Sequence, residues 1–197
     1  MDPVRYISNR SSGKMGYAIA EAALDAGHDV VLISGPVNLA PPRNTRFISA
    51  GTSDEMFKAV HRHARESDIC VLCAAVADYK PAKVSPVKIK KCGDRMSLEL
   101  IATCDILESL GQQRDRPFLL VGFAAETDQI EKNAWGKLRR KNCDIIVAND
   151  ARIAMETDEN ELRILFRDGE TKKISRSPKK NLARALVKIL QIRNKNV

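Results

Sequence analysis

The strongest constraint on the fold is the alternation of short apolar runs with longer amphipathic segments. Three runs, 29–33, 69–77 and 118–124, have the length and continuous hydrophobicity of strands that are buried on both faces. Between the runs, apolar residues recur at three- and four-residue steps, as on the buried side of a helix. The predicted helices are 13–26, 53–66, 105–112 and 129–142, and shorter strands are predicted at 46–49, at 98–100 and from Ile145. Such alternation predicts an α/β fold with a doubly wound, mostly parallel, Rossmann-like sheet.

The last quarter of the chain has a different pattern. Two stretches of alternating residues, 161–166 and 171–174, flank Asp168-Gly169, which is typical of a β-hairpin. An amphipathic helix is predicted at 179–192. We therefore expect an antiparallel C-terminal edge hairpin on the sheet. Because no internal repeat or linker interrupts the pattern, residues 1–197 are predicted to form a single domain.

Composition narrows the class of ligand. The net charge of +8 suits an anionic partner, but aromatic residues make up only 5% of the chain, so stacking surfaces for single-stranded nucleic acid are scarce. No apolar stretch approaches the roughly 20 residues that a membrane-spanning helix needs. We expect neither a nucleic-acid partner nor a membrane partner.

The five cysteines form an odd set, which favours a reducing compartment, the cytoplasm, over a disulfide framework. Cys70 and Cys73 have C-x-x-C spacing, yet they lie in an apolar run. An extended strand would point them to opposite faces, so buried structural thiols are favoured over a zinc or redox site.

The loop S-N-R-S-S-G-K-M-G, residues 8–16, opens the first predicted helix. Free backbone N–H groups at the start of a helix suit a phosphate or a carboxylate, and Gly13 and Gly16 allow close approach of a ligand. A Ser-capped helix packed tightly on the sheet explains the same residues. The loop alone leaves both interpretations open.

A dinucleotide oxidoreductase is the competing class, because Tyr79-x-x-x-Lys83 copies the catalytic spacing of short-chain dehydrogenases. That chemistry needs the two side chains one helical turn apart, and Pro81 between them breaks a helix. His61 and His63 are two positions apart on a predicted helix, so they diverge and are expected to be solvated rather than to bind a metal.

Lysines and one acid suggest a nucleotide site. Asp78 directly follows a predicted strand, and a lysine-rich, exposed and mobile loop at 78–91 carries Lys88. Lys137 and Lys141 lie on one face of a predicted helix at i and i+4. Several cations for a polyphosphate, with an acid for a ribose, base or metal, would form a coherent nucleotide site.

Five blocks in order carry a family resemblance: D-P-V-R-Y-I-S-N-R-S-S-G-K-M-G, A-A-V-A-D-Y-K-P, K-I-K-K, V-G-F-A-A-E-T and K-N-C-D-I-I-V-A-N-D. The chain resembles phosphopantothenate–cysteine ligase, the synthetase half of bacterial bifunctional coenzyme A biosynthesis proteins. The resemblance implies a homodimer that uses CTP and Mg²⁺ to join 4′-phosphopantothenate to L-cysteine through an acyl-cytidylate. The S-N-x-S-S-G-K-M-G wording is closer to the CTP-using branch than to the ATP-using one.

The resemblance also implies the site residues. The nucleotide contacts would be Cys73, Ala74, Asp78, Lys88, Cys104, Asp105, Ile106, Leu107, Phe123, Lys137 and Lys141. Arg5, Asn9 and Ala75 would hold the phosphopantothenoyl part, and Asn9 and Lys88 are the residues expected to act in catalysis. The resemblance identifies no metal ligand.

The chain departs from the family pattern at one turn: Thr103-Cys104 stands where Asn-Pro is common. A nucleotide-binding module that kept the fold and lost turnover therefore stays open as an alternative. The family's flavin-dependent decarboxylase is expected as a fused or separate partner, with no flavin in this domain.

Overall fold

The computed structural model describes residues 1–150, 152 and 158–194. The helices are α1 (Lys14–Asp25), α2 (Ser53–Ala64), α3 (Ile106–Gly111), α4 (Ile130–Arg140) and α5 (Lys179–Asn194). The strands are β1 (Val31–Ser34), β2 (Arg46–Ser49), β3 (Ile69–Leu72), β4 (Tyr79–Pro81), β5 (Leu100–Ala102), β6 (Leu119–Glu126), β7 (Ile145–Asp150), β8 (Glu159–Phe166) and β9 (Thr171–Pro178). Within the described residues, no helix combines the length and apolarity needed to cross a membrane.

The main sheet has the order β3-β6-β7-β8-β9. β3, β6 and β7 run parallel, whereas β8 and β9 are antiparallel and form the edge. Gly169, in the turn between β8 and β9, has a φ of 96°, which a residue without a Cβ adopts freely. The predicted class, a mostly parallel α/β sheet with an antiparallel C-terminal hairpin, is confirmed.

The strands outside the main sheet differ from the prediction. β1 and β2 pair in parallel with each other and form a sheet of their own. The segment 78–91, predicted as a loop throughout, contains β4, which pairs antiparallel with β5. β5 is shifted by two residues towards the C-terminus from the predicted strand at 98–100. In the observed register, Tyr79 pairs with Ala102 and Pro81 pairs with Leu100. Proline has no backbone N–H to donate, and it is tolerated here because both strands of the ribbon are edge strands.

Two apolar clusters cover the two faces of the main sheet. Alternate residues of β6 point to opposite clusters: Val121 packs with α1 and α5, whereas Leu120 packs with α3 and α4. Cys73 belongs to the margin of the first cluster and Cys70 to that of the second, so the predicted divergence of the two thiols is confirmed. This two-sided burial explains why the parallel strands read as continuous apolar runs.

The helix ends follow local capping rules. α2 begins at Ser53, as predicted for the helix at 53–66, and Thr52 is its N-cap, accepting a hydrogen bond from the Glu55 N–H at 3.1 Å. α1 ends at Asp25, one residue before the predicted boundary, and Gly27 follows with a φ of 84°, in the left-handed region that glycine adopts freely.

Candidate active site

A cleft of about 1390 Å³ runs along β1 and β3 and includes the loops that follow their carboxyl ends. It is lined by the N-terminal loop, by the segment that follows β3, by the turn that precedes α3 and by Lys137 of α4. β1 and β3, which belong to different sheets, both line it along their lengths. The carboxyl edge of a parallel sheet is the usual ligand-binding region of doubly wound folds, so this cleft is the candidate active site.

The N-terminal loop is tied to the segment after β3. The Asn9 side-chain N–H donates to the carbonyl of Ala75, and Asn9 Oδ1 accepts from the Ser11 N–H at 2.9 Å. Gly13 caps α1 in the left-handed region at φ 74°, without a side-chain cap. Asn9 and Ala75, the predicted substrate contacts, therefore lie together, and Ser11 and Gly13 shape the turn.

Cys73, Ala74 and Asp78 follow β3 and line the cleft as predicted. Burial raises the pKa of the Cys73 thiol to about 12, so the thiol stays protonated near neutral pH. Ala74 and Asp78 are exposed. This segment therefore offers backbone groups and one carboxylate, rather than a thiolate nucleophile.

The turn before α3, which departs from the family pattern, is hydrogen-bonded to the segment after β3. The Thr103 hydroxyl donates to the Ala77 carbonyl at 2.7 Å, and the Thr103 N–H donates to the Asp78 carbonyl at 2.9 Å. Cys104 is exposed and lines the cleft. Thr103 thus joins the turn to the segment that carries Asp78.

Asp105 caps α3 by accepting from the Glu108 N–H at 2.8 Å. Ile106 and Leu107 come next, and both are buried. Their side chains pack in the core, so a nucleotide at this turn would contact them through the backbone.

Lys137 faces the cleft from α4. Its ammonium donates to the Phe123 carbonyl at 2.7 Å, at the carboxyl half of β6. Burial lowers the pKa of Lys137, which nearby acids such as Glu126 only partly offset. Lys137 and Phe123 therefore lie side by side.

Lys141 has a different setting, although it lies one turn further along α4. Its ammonium contacts Asp105 Oδ2 at 2.9 Å and Glu108 Oε2 at 2.6 Å. Burial alone would lower the pKa of Lys141, but the hydrogen bonds to Glu108 and Asp105 outweigh it and raise the pKa. Lys141 is not among the residues that line the cleft. Its direct neighbours are these two acids of α3.

Glu108, the second partner of Lys141, is not among the site residues predicted from the sequence. A signal was present in the pattern Asp105-x-x-Glu108, which is typical of the first turn of a helix. The local pattern explains the cap, whereas the contact with α4 depends on how the two helices pack.

Lys88 belongs to the connection between β4 and β5. It is exposed and does not line the cleft. Arg5 does line it, but its guanidinium is held by the Asp2 carboxylate at 2.6 Å. The structure therefore brings together every predicted site residue at the cleft except Lys88 and Lys141.

Among the described residues, no group of three His, Cys, Asp or Glu side chains is arranged to hold a metal ion. His61 contacts Ser109 Oγ at 3.0 Å and the Gln113 side-chain amide at 3.2 Å, and burial lowers its pKa. His63, predicted to be solvated, is buried because α2 turns it towards the protein. The two histidines do not form a pair.

Comparison with known proteins gives one consistent match. Residues 1–193 match the family described as DNA/pantothenate metabolism flavoprotein C-terminal domain. The coenzyme A biosynthesis bifunctional protein CoaBC of Haemophilus influenzae is 47% identical over 190 residues, which are 95% of this chain and 47% of that protein. CoaBC of Bacillus subtilis is 46% identical over 178 residues, which are 88% of this chain and 44% of that protein. The chain thus spans about half the length of these relatives.

Solved structures agree with the sequence relatives. The crystal structure of the C-terminal domain of CoaBC superposes with a TM-score of 0.85 at 39% identity, and the match covers all of this chain and 90% of that one. The DNA/pantothenate metabolism flavoprotein of Streptococcus pneumoniae, at 21% identity and a TM-score of 0.82, shares the fold.

Proposed function

Because the chain belongs to the DNA/pantothenate metabolism flavoprotein C-terminal domain family, we propose that it acts as a phosphopantothenate–cysteine ligase in coenzyme A biosynthesis. The observation that carries the proposal is the assembly at one cleft of Asn9, the 73–78 segment, the turn before α3 and Lys137, which are far apart in the sequence. These are the segments to which the family resemblance assigns the nucleotide and the acyl substrate.

The proposed reaction has two steps. A carboxylate oxygen of 4′-phosphopantothenate attacks the α-phosphorus of CTP, and pyrophosphate leaves, so that an acyl-cytidylate forms. The amine of L-cysteine then attacks the acyl carbon, CMP leaves, and the amine loses a proton as the amide forms. Neither step requires a covalent protein nucleophile, which agrees with the high pKa of the buried Cys73 thiol.

We assign the nucleotide to the side of the cleft that carries Lys137. Its ammonium would help to neutralise the charge that develops on the phosphates, since such transfer depends mainly on positioning and on cations. The backbone of 73–74 and 104–107 and the region of Phe123 would hold the base and ribose. Lys141 would act indirectly, by holding Asp105 in position at the start of α3.

The acyl group is assigned to the opposite side of the cleft. Asn9 offers an amide that can donate to the carbonyl oxygen as its negative charge grows during attack by the amine. Ala75 lies beside it through the observed hydrogen bond. Arg5 lines the same region and keeps 43% of its side chain exposed, so it remains our candidate for the phosphopantothenoyl part.

Mg²⁺ is proposed as the partner of the triphosphate. This ion keeps several waters and binds through one or two carboxylates together with substrate phosphates, which fits the donors at this cleft. Asp78 is exposed, lines the cleft and would hold the ion. When bound, Mg²⁺ would supply charge neutralisation at the phosphates.

A homodimer in the cytoplasm is the proposed assembly. The β4–β5 ribbon supports self-association because Tyr79, Leu100 and Ile101 expose 58%, 44% and 44% of their surfaces. The relatives are bifunctional proteins about twice as long, which supports a phosphopantothenoylcysteine decarboxylase as a fused or separate partner.

The experiment that tests the function is a pyrophosphate-release assay with CTP, Mg²⁺, 4′-phosphopantothenate and L-cysteine, with ATP in parallel. We expect release with CTP that depends on phosphopantothenate. Absence of release with either nucleotide would contradict the proposal. Binding of CTP without release would instead support the nucleotide-binding module without turnover, which the Thr103-Cys104 turn motivates.

A further inference from the structure

Asp2 is a buried carboxylate that no predicted role accounts for. Its side chain has no exposed surface. Oδ1 accepts from the N–H groups of Val4 and Arg5, both at 2.9 Å, and Oδ2 accepts from Arg5 Nη2 at 2.6 Å and Nε at 3.1 Å. Asp2 also has a contact with a residue far away in the sequence: the Ile89 N–H donates to Oδ2 at 3.1 Å.

Arg5 contacts the same distant residue. Arg5 Nη2 donates to the Ile89 carbonyl at 2.6 Å, so the carboxylate holds the N–H of Ile89 and the guanidinium holds its C=O. A third bond, from the Ser85 N–H to the Met1 carbonyl at 3.0 Å, fixes the same segment nearby. We call Asp2 and Arg5, with these bonds to Ile89, the Asp2–Arg5 clamp.

The clamp lies between two lysines. Ile89 is half-buried, whereas Lys88 and Lys90 on either side of it are exposed. Among the residues that the structure describes, neither lysine forms an ion pair or a side-chain hydrogen bond. Because a lysine side chain is long and flexible, the position of its backbone sets the region that its ammonium can reach.

We propose that Asp2 is a positioning residue: through Arg5 and the Ile89 peptide, it sets where Lys88 and Lys90 stand relative to the nucleotide. The proposal rests on the proposed ligase function for the identity of that nucleotide. Charge-assisted hydrogen bonds in a bidentate pair have defined directions, and support of this kind holds a functional group in place before the substrate arrives. Arg5 therefore supports the lysine segment as well as lining the cleft.

Two physical features favour the clamp over a simple turn. The hydrogen bond from Arg5 holds the pKa of Asp2 below its usual range, so the carboxylate is charged wherever the protein is folded near neutral pH. The Ile89 contact also joins residues 87 positions apart, so together with the Arg5–Ile89 and Ser85–Met1 bonds it ties two distant segments to each other.

The test is Asp2→Asn, with two measurements. The amide keeps one oxygen acceptor but cannot form the ion pair with Arg5, so hydrogen exchange in segment 84–91 should speed up by roughly tenfold. The KM for CTP should rise on the order of tenfold while the KM for cysteine stays unchanged. The matched control is Asp94→Asn, an exposed acid further along the same connection, which should alter neither value.

The possible outcomes test the Asp2–Arg5 clamp separately from the proposed function. Unchanged exchange in segment 84–91, or a fall in kcat with both KM values unchanged, would overturn the clamp. If Asp2→Asn does not fold, Arg5→Lys keeps the charge of the pair and should show the same exchange and KM pattern; wild-type values in that variant would also overturn it. Because exchange needs no turnover, absence of pyrophosphate release by the unaltered protein would contradict only the proposed function.

Discussion

Among single residues, Lys141 shows how one buried cation joins two helices. Its side chain is 11% exposed, and it contacts Asp105 and Glu108, which remain 46% and 36% exposed. The hydrogen bonds from the Glu108 N–H and from Lys141 outweigh the effect of burial and lower the pKa of Asp105. The contact therefore stabilises the charged forms of both Asp105 and Lys141.

We predict that Lys141→Met lowers the free energy of unfolding by about 1–2 kcal/mol, because the two acids lose their shared cation but can regain water. Chemical denaturation measures the change. Lys132→Met, an exposed lysine on the same helix, is the matched control and should stay within about 0.5 kcal/mol of the unaltered protein. Equal losses in both variants would contradict the role of the contact.

The effect of Lys141→Met should also depend on pH. The pKa of Asp105 is lowered below its ordinary 3.8, so its contribution is present above that value and is lost as pH falls through the folded-state pKa. The pKa of Lys141 is raised above 10.5, so its contribution is present below that value and is lost as pH rises through the folded-state pKa. The difference between the two proteins should be largest between about pH 5 and pH 9.

At the scale of elements, α3 and the end of α4 meet at Gly111. A Cβ at this position would lie 1.8 Å from the backbone oxygen of Lys141 and 2.9 Å from its carbonyl carbon. The carbonyl of Gly111 also accepts from the Asn142 side-chain amide at 2.6 Å. Because the obstructing atoms belong to the backbone, the two elements would have to separate to admit a methyl group.

We predict that Gly111→Ala lowers the free energy of unfolding by about 3 kcal/mol and also weakens CTP binding, because α3 carries the turn at Asp105. The control is Gly136→Ala, an exposed position within α4 with no atom within 4 Å of the added Cβ. That change should raise stability by about 0.5–1 kcal/mol through helix propensity. Thermal unfolding of both variants provides the comparison, and stability of Gly111→Ala equal to that of the parent would refute the close approach.

At the scale of the whole molecule, the sheets differ in how they are supported. β6 and β7 lie inside the five-stranded sheet, and Val121 and Val147 have no exposed surface. β1 and β2 pair only with each other among the described strands, and Val31 and Phe47 expose 37% and 42% of their surfaces. Local opening is easier where fewer apolar contacts must be broken.

Hydrogen exchange followed by NMR should reveal this difference. We predict that amides of β1 exchange on the order of a hundredfold faster than those of β6 and β7, because the two-stranded pair can open without disrupting the main core. Similar protection at Ile33 and Val121 would instead indicate that all the parallel strands open as a single cooperative unit.

Most of the helices and strands could be predicted from local patterns in the sequence. The apolar run 118–124 predicted β6, Asp168-Gly169 predicted the β8–β9 hairpin, and the spacing of Lys137 and Lys141 placed both lysines on one helix face. These features depend on residues a few positions apart, so local periodicity and turn chemistry suffice to reveal them.

Which distant groups meet depends instead on the tertiary structure. The β1–β2 pair lies outside the main sheet. Lys137 lines the cleft and contacts Phe123, whereas Lys141 contacts the acids of α3. Ile89 forms a hydrogen bond with Asp2. The i, i+4 spacing of the two lysines would be the same in either environment, because helical periodicity shows which residues share a face of the helix but not which groups that face contacts. Contacts between residues far apart in sequence depend on how whole elements pack, and that packing is set by the shared core rather than by any local pattern.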